Sequence, residues 1–153
     1  MRLNKYLSLM VILLAVVGVV IGSVFIGLGF AKDGELKEAM RVEHVTLGIE
    51  GGETAGSVID TLEEAQAAGD TIREHRRGIA ASYEDLLGEG RYDPTNPSHL
   101  TYAQALNLEN YLYLAVVAFG LTQAVMGSGA FMVVASIALG GTGVMLYRMS
   151  TQY

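Results

Sequence analysis

Tyr6–Phe30 reads YLSLMVILLAVVGVVIGSVFIGLGF, 25 residues without one charged side chain. As a helix this stretch reaches about 37 Å, against a hydrocarbon core about 30 Å thick. Arg2 and Lys5 precede it. A secretory signal peptide shares the basic start, but its apolar region is only about 7–15 residues long. Gly29-Phe30-Ala31 is a weak cleavage sequence, so length and the start at Met1 favour an uncleaved anchor.

A second uncharged stretch, Tyr111–Tyr147, is 37 residues long, too many for one crossing of about 20. Two geometries compete. A hairpin turning at Gly127-Ser128-Gly129 leaves short arms and has to bury its turn in protein, because free backbone groups in lipid are costly. One long helix, with its first part standing above the bilayer, is favoured. Thr101 with Gln104 matches a capping box, and Asn96-Pro97-Ser98 is turn chemistry upstream. A helix over 101–148 follows, with Tyr111, Tyr113 and Tyr147 at interfacial depths.

Both stretches carry small residues at helical spacing. Gly18 and Gly22 form a GxxxG pair; Ala124 with Ser128, and Ser136 with Gly140, repeat the pattern. Lipid gives no hydrophobic drive between helices, so close backbone approach at small residues takes its place. These six are the expected helix-packing positions. Gln123 suits an interhelical hydrogen bond or the outer interface equally.

Composition agrees. The 153 residues are 51% hydrophobic and 17% charged, below the roughly 25% usual in soluble domains. With no Cys there is no disulfide, thiolate metal site or Cys nucleophile. Residues 32–109 hold all 16 acidic residues and seven basic ones, for a net charge of −9; the ends carry only Arg2, Lys5 and Arg148. The positive-inside rule then puts both termini in the cytoplasm and the acidic segment outside the plasma membrane. The acidic balance argues against nucleic acid. The early end after Arg148 leaves no cytoplasmic domain, against a signal-transducing receptor.

The fold class expected is an all-α membrane protein. Transmembrane helix 1 covers 6–30, a small, mostly helical outer segment 31–108, and a long helix containing transmembrane helix 2 covers 109–147. Lys32–Arg41 extends the first helix. Val45, Leu47 and Ile49 alternate as a short extended piece ending at Gly51-Gly52, and Thr54 is placed to cap a helix over about 55–88. In that helix Val58, Leu62, Ala65, Gly69, Ile72, Arg76, Ile79, Tyr83 and Leu86 recur at steps of four and three. The apolar members form a seam that requires a partner: the second membrane helix, another copy or another protein. Gly69 and Arg76 interrupt it.

No catalytic or metal pattern is present. His44, His75 and His99 are far apart and form no HxxxH or HExxH spacing. Arg73, Arg76 and Arg77 suit an anionic head group or acidic partner, or else i,i+3 pairs of Asp70 with Arg73 and Glu74 with Arg77. Glu63 and Glu64 are adjacent and do not converge as a carboxylate dyad does. No Ser-His-Asp set, GxSxG, phosphate loop or dinucleotide fingerprint occurs.

Ala65-Gln66-Ala67, Ile72, His75, Tyr83, Leu86, Asp93-Pro94 and Val116-Val117-Ala118-Phe119-Gly120 resemble a family of small two-helix membrane proteins, mainly actinobacterial. The resemblance covers 58–148, with Asp60-Thr61 where members often have Gly-Pro. The family is often labelled aromatic ring-opening dioxygenase. A non-haem iron oxygenase needs two His and a carboxylate converging in a folded site, which this outer segment has little scaffold to supply. The resemblance implies the two-helix layout and no activity or cofactor. The function expected is a non-enzymatic accessory subunit of a larger membrane complex, such as a respiratory or photosynthetic one. The alternative is a homo-oligomeric outer-surface scaffold or sensor built on Val58, Leu62, Ile72, Ile79, Tyr83 and Leu86. Its partners are then other membrane subunits or copies of itself, with membrane lipid.

Overall fold

A computed structural model describes residues 2–43, 46, 56 and 58–152. Its helices are α1 (Arg2–Val42), α2 (Leu62–Ile79), α3 (Tyr83–Leu87) and α4 (Pro97–Gln152). The only β feature among the described residues is an isolated antiparallel bridge between Thr46 and Val58. Val45, Leu47, Ile49, Gly51, Gly52, Thr54 and His44 lie outside the described residues. The chain divides into two units. Unit 1 comprises 1–33 with 121–153, and unit 2 comprises 34–120.

Unit 1 is an antiparallel pair formed by the first part of α1 and the second part of α4. Its contact line is made of small residues. A Cβ on Gly22 would lie 2.7 Å from the carbonyl oxygen of Gly129, and one on Gly18 would fall on Ser136 Oγ. Gly29 faces Met126, Gly140 faces Ala15, and Gly143 faces Val11 and Ile12. These pairs fix the register: Phe30 comes level with about Gln123, and Tyr6 with about Tyr147, at helical rise. The 25 uncharged residues of α1 therefore have a counterpart of equal length in α4, residues 123–147.

Around that contact line the surface is apolar on every side. Leu13, Val20 and Leu28 on α1 are exposed, as are Phe131, Val134, Ile137 and Met145 on α4. Soluble helices keep their apolar side chains in one stripe facing a core. Both helices are long and apolar enough to cross a membrane. α4 is unbroken through Gly127-Ser128-Gly129, which settles the choice between one helix and a hairpin there in favour of one helix.

Unit 2 is a small three-helix core. Ile59, Ala65, Ala68, Leu112, Ala115 and Phe119 are buried together, with Leu36 and Met40 of α1 packed against them. The structure differs from the sequence reading in two helix limits. The expected 55–88 helix starts later and is broken. Thr61 caps α2 by accepting from Glu64 N–H at 3.2 Å, and the Glu64 carboxylate accepts from the Thr61 N–H at 3.2 Å, a complete capping box. Ala80 takes extended geometry at the end of α2, and Ser82 then caps the short α3. Gly88 ends α3 with φ of 55°, a conformation that favours glycine.

The other difference is the start of α4, four residues before Thr101. Pro97 occupies the first turn, where its missing N–H costs nothing, and Asn96 Oδ1 accepts from Ser98 N–H at 2.9 Å. Thr101 and Gln104 are interior helix residues. His99 Nδ1 accepts from the Asp93 N–H at 3.0 Å and its ring stacks on Tyr92, which folds the preceding loop onto the first turn of α4.

Candidate functional site: a polar latch between α2 and α4

A cluster of mutually bonded ionisable groups in unit 2 lies where α2 crosses the first part of α4. Arg76 is central to it. In the 3–4 seam of α2 it occupies an inward position, and its aliphatic stem is carried into the interface with its charge. Arg76 Nε donates to Glu109 Oε2 at 2.6 Å, and Arg76 also donates to the Tyr102 hydroxyl. The guanidinium stands 4.9 Å from the centre of the Tyr102 ring. Arg76, Glu109 and Tyr102 are all buried.

Arg73, one turn earlier, completes the carboxylate. Its Nε donates to Glu109 Oε1 at 3.1 Å, and its guanidinium lies 4.5 Å from the centre of the Tyr113 ring. Tyr113 in turn donates to Asp70 Oδ1 at 2.6 Å, and Gln66 donates to Asp70 Oδ2 at 3.0 Å. Gly69 provides the space. A Cβ there would stand 3.3 Å from the Tyr113 ring, tighter than ordinary packing, so the missing side chain lets α4 approach.

The electrostatics follow from these contacts. Burial pushes the Glu109 carboxyl up, but the bonds from Arg76 and Arg73 outweigh it and hold the group below its ordinary value. The bond to Glu109 pushes Arg76 higher still. The Tyr113 hydroxyl, partly desolvated and bonded to the Asp70 carboxylate, is pushed up to about 12. Asp70 is held down chiefly by the Tyr113 bond. Glu109 and Asp70 are thus favoured as carboxylates and Tyr113 as the neutral phenol, the forms their partners require. Among the described residues, no buried side-chain nitrogen or oxygen lacks a hydrogen-bond partner. Chemically the cluster is a closed, charge-assisted clasp. Glu109 is committed to two guanidinium groups, and the Tyr113 proton is bound tightly.

The sequence-derived positions fall into three sets. Gly18, Gly22, Ser136 and Gly140 lie on the α1–α4 contact line of unit 1. Ala124 and Ser128 do not: both are exposed, and the α4 residue that meets Gly22 is Gly129. Ser128 is one residue, or about 100°, round the helix from that line. Gln123 is exposed as well.

The outer seam divides. Leu62 and Ile72 pack against the unit 2 core, whereas Ile79 and Tyr83 are exposed, with Tyr83 6.2 Å from the Tyr102 ring. Val58 and Leu86 are half-buried. Gly69 and Arg76, read from the sequence as interruptions, are where α2 meets Tyr113 and Glu109 of α4. Asp70 and Arg73 form the expected i,i+3 pair at 3.4 Å. Glu109 and Tyr102 were not singled out from the sequence. The available signal was one acid next to a long uncharged run, 33 residues from an arginine inside an apolar seam. His75 is exposed and His99 is used in the loop. No group of three or more His, Asp or Glu among the described residues is arranged to hold a metal ion.

What fold and site define is a class: an all-helical protein with two helices long and apolar enough to cross a membrane, and a small helical unit closed by a polar clasp. No protein family, curated protein or solved structure matches the chain.

Proposed function

We propose that the chain is a non-enzymatic integral membrane subunit that acts through helix contacts as an accessory component of a membrane complex. Residues 6–30 and 123–147 are its two spans. Lys5 and Arg148 flank the paired spans at one end, so the positive-inside rule assigns both termini to the cytoplasm. The acidic 34–120 unit then lies outside the plasma membrane.

One observation carries the functional part. The polar groups that α2 and α4 bring together in unit 2 are engaged with one another, whereas large apolar side chains remain uncovered. Candidates for catalysis are normally titratable groups that converge on an open pocket. Here the convergent groups have closed on themselves, and the free surface is suited to other helices and lipid.

The test is a native mass, with identification of co-purifying chains, after mild detergent extraction from the protein's own membrane. Stoichiometric foreign subunits are expected, and their identity names the host complex. A chain recovered only in the soluble fraction overturns the membrane reading. A stable single copy without partners overturns the subunit reading.

A further inference from the structure

One imidazole holds the loop after α3 against the first turn of α4. His99 Nδ1 accepts from the Asp93 N–H at 3.0 Å, and the Tyr92 ring stacks on the same imidazole with 5.7 Å between centres. The remaining bonds of the turn are local to it. Asp93 Oδ1 accepts from the Thr95 N–H at 2.8 Å and from the Thr95 hydroxyl at 2.6 Å. The Asn96 N–H donates to the Asp93 carbonyl oxygen at 3.1 Å.

The Asp93 bond fixes the state of the ring. A ring nitrogen that accepts must carry a lone pair, so this imidazole is neutral, with its proton on Nε2. We propose that His99 is an acid-sensitive latch, whose protonation releases residues 92–95 from the first turn of α4.

Donors and acceptors give the reason. Both nitrogens of an imidazolium are donors. Nδ1–H would then face the Asp93 N–H across 3.0 Å, donor against donor. His99 is also the third residue of α4, where the unpaired N–H groups of the helix disfavour a cation. The opposing pull is the Asp93 carboxylate, whose charge interacts with the ring. To donate to that carboxylate the ring has to turn, and the Asp93 N–H loses its acceptor all the same. The other ionisable neighbours are phenols: Tyr92, stacked from the loop, and Tyr102, three residues on along α4 and bonded to Arg76.

Histidine is the side chain that changes charge between pH 5 and 8. Glu109 and Asp70 of the clasp are held below ordinary carboxylate values, so the latch opens before the clasp does. On the topology proposed above, the latch faces the medium outside the cell; that setting, though not the latch itself, rests on that reading.

The test is amide hydrogen exchange of the full chain in detergent, read by NMR from pH 8 to pH 5 and corrected for the intrinsic exchange rate. The Asp93 amide is expected to lose protection at least tenfold, in step with titration of the His99 ring. The Phe119 amide, in the core, should keep its protection throughout. His99→Ala should leave the Asp93 amide unprotected at both ends of the range. Asp93→Asn keeps the backbone donor and should keep the acid step.

Constant protection of the Asp93 amide from pH 8 to pH 5 overturns the proposal, whether or not His99 titrates. So does a protected Asp93 amide in His99→Ala at either pH. Neither result bears on the accessory-subunit reading, which the native mass decides.

Discussion

Gly22 and Gly129 meet backbone to backbone. A Cβ on Gly22 would stand 2.7 Å from the Gly129 carbonyl oxygen, and a Cβ on Gly129 would stand 2.6 Å from that of Gly22. Neither helix can accept a side chain there without moving. Gly22→Leu and Gly129→Leu are each expected to destabilise the helix pair by about 1–3 kcal/mol or more, the usual cost of overpacking. Gly18→Leu, aimed at Ser136, acts the same way. Gly27, where a Cβ would meet nothing within 4 Å, is the control: Gly27→Ala should leave the melting curve in detergent unchanged. Thermal melts of the four variants check this.

Arg76 and Glu109 are each nearly inaccessible to solvent, with 10% and 9% of their side chains exposed. Removing Glu109 leaves Arg76 as an uncompensated buried charge, whereas removing Arg76 leaves Glu109 with Arg73 as its remaining partner. Glu109→Ala should therefore cost unit 2 about 3–5 kcal/mol, and Arg76→Ala less. Arg76→Met with Glu109→Leu removes both charges at similar volume and should recover most of that loss. Protease resistance of the 34–120 region across the three variants reads the difference. Equal sensitivity of the double and single variants would argue against a buried pair.

The same clasp sets a pH dependence. The folded-state value of Glu109 is depressed, so its contribution is present above the unfolded carboxylate value of about 4.3 and is lost as pH falls through the folded value. Asp70 acts in the same direction. Protease resistance should hold from neutral pH to about 5 and fall below about 4. Glu109→Gln should flatten this acid limb.

At the alkaline end the sign reverses. The Tyr113 value is raised to about 12, so its contribution is present below the unfolded tyrosine value of about 10 and fades as pH rises toward 12. Phenolate absorbance should show a late-titrating tyrosine. Tyr113→Phe should remove that step, and Asp70→Asn should shift it to lower pH.

Thr61 and Glu64 form the reciprocal cap of α2. Thr61→Ala should cost about 1 kcal/mol, within the 0.5–2 range of such caps. Thr101→Ala, in the interior of α4, should cost far less, because its capping-box spacing is coincidental. Chemical denaturation of unit 2 separates the two.

The two apolar stretches were legible from sequence because an uncharged run of 25 or 37 residues has few other physical readings. Dividing the longer run was not. Only the pairing of Gly22 with Gly129 and Gly29 with Met126 shows which 25 of the 37 residues lie beside the first helix. Local signals misplaced the start of α4: Thr101-Gln104 reads as a capping box and Asn96-Pro97-Ser98 as a turn, yet the helix begins at Pro97, whose fixed φ suits a first turn. Arg76 looked like a flaw in an apolar seam because its partner is 33 residues away on another helix. Periodicity shows which face of a helix is buried but not which distant group can neutralise a charge on it. Ser128 and Gly129 are adjacent small residues, so spacing alone did not choose between them.

The central claim is a two-span hairpin with both ends on one side, and labelling of single cysteines by a membrane-impermeant maleimide tests it most directly. In intact cells Thr95→Cys is expected to react, Lys5→Cys and Ser150→Cys to react only after permeabilisation, and Phe131→Cys not at all. Reaction of Lys5→Cys and Ser150→Cys from opposite sides, or of Phe131→Cys in intact cells, would contradict the account.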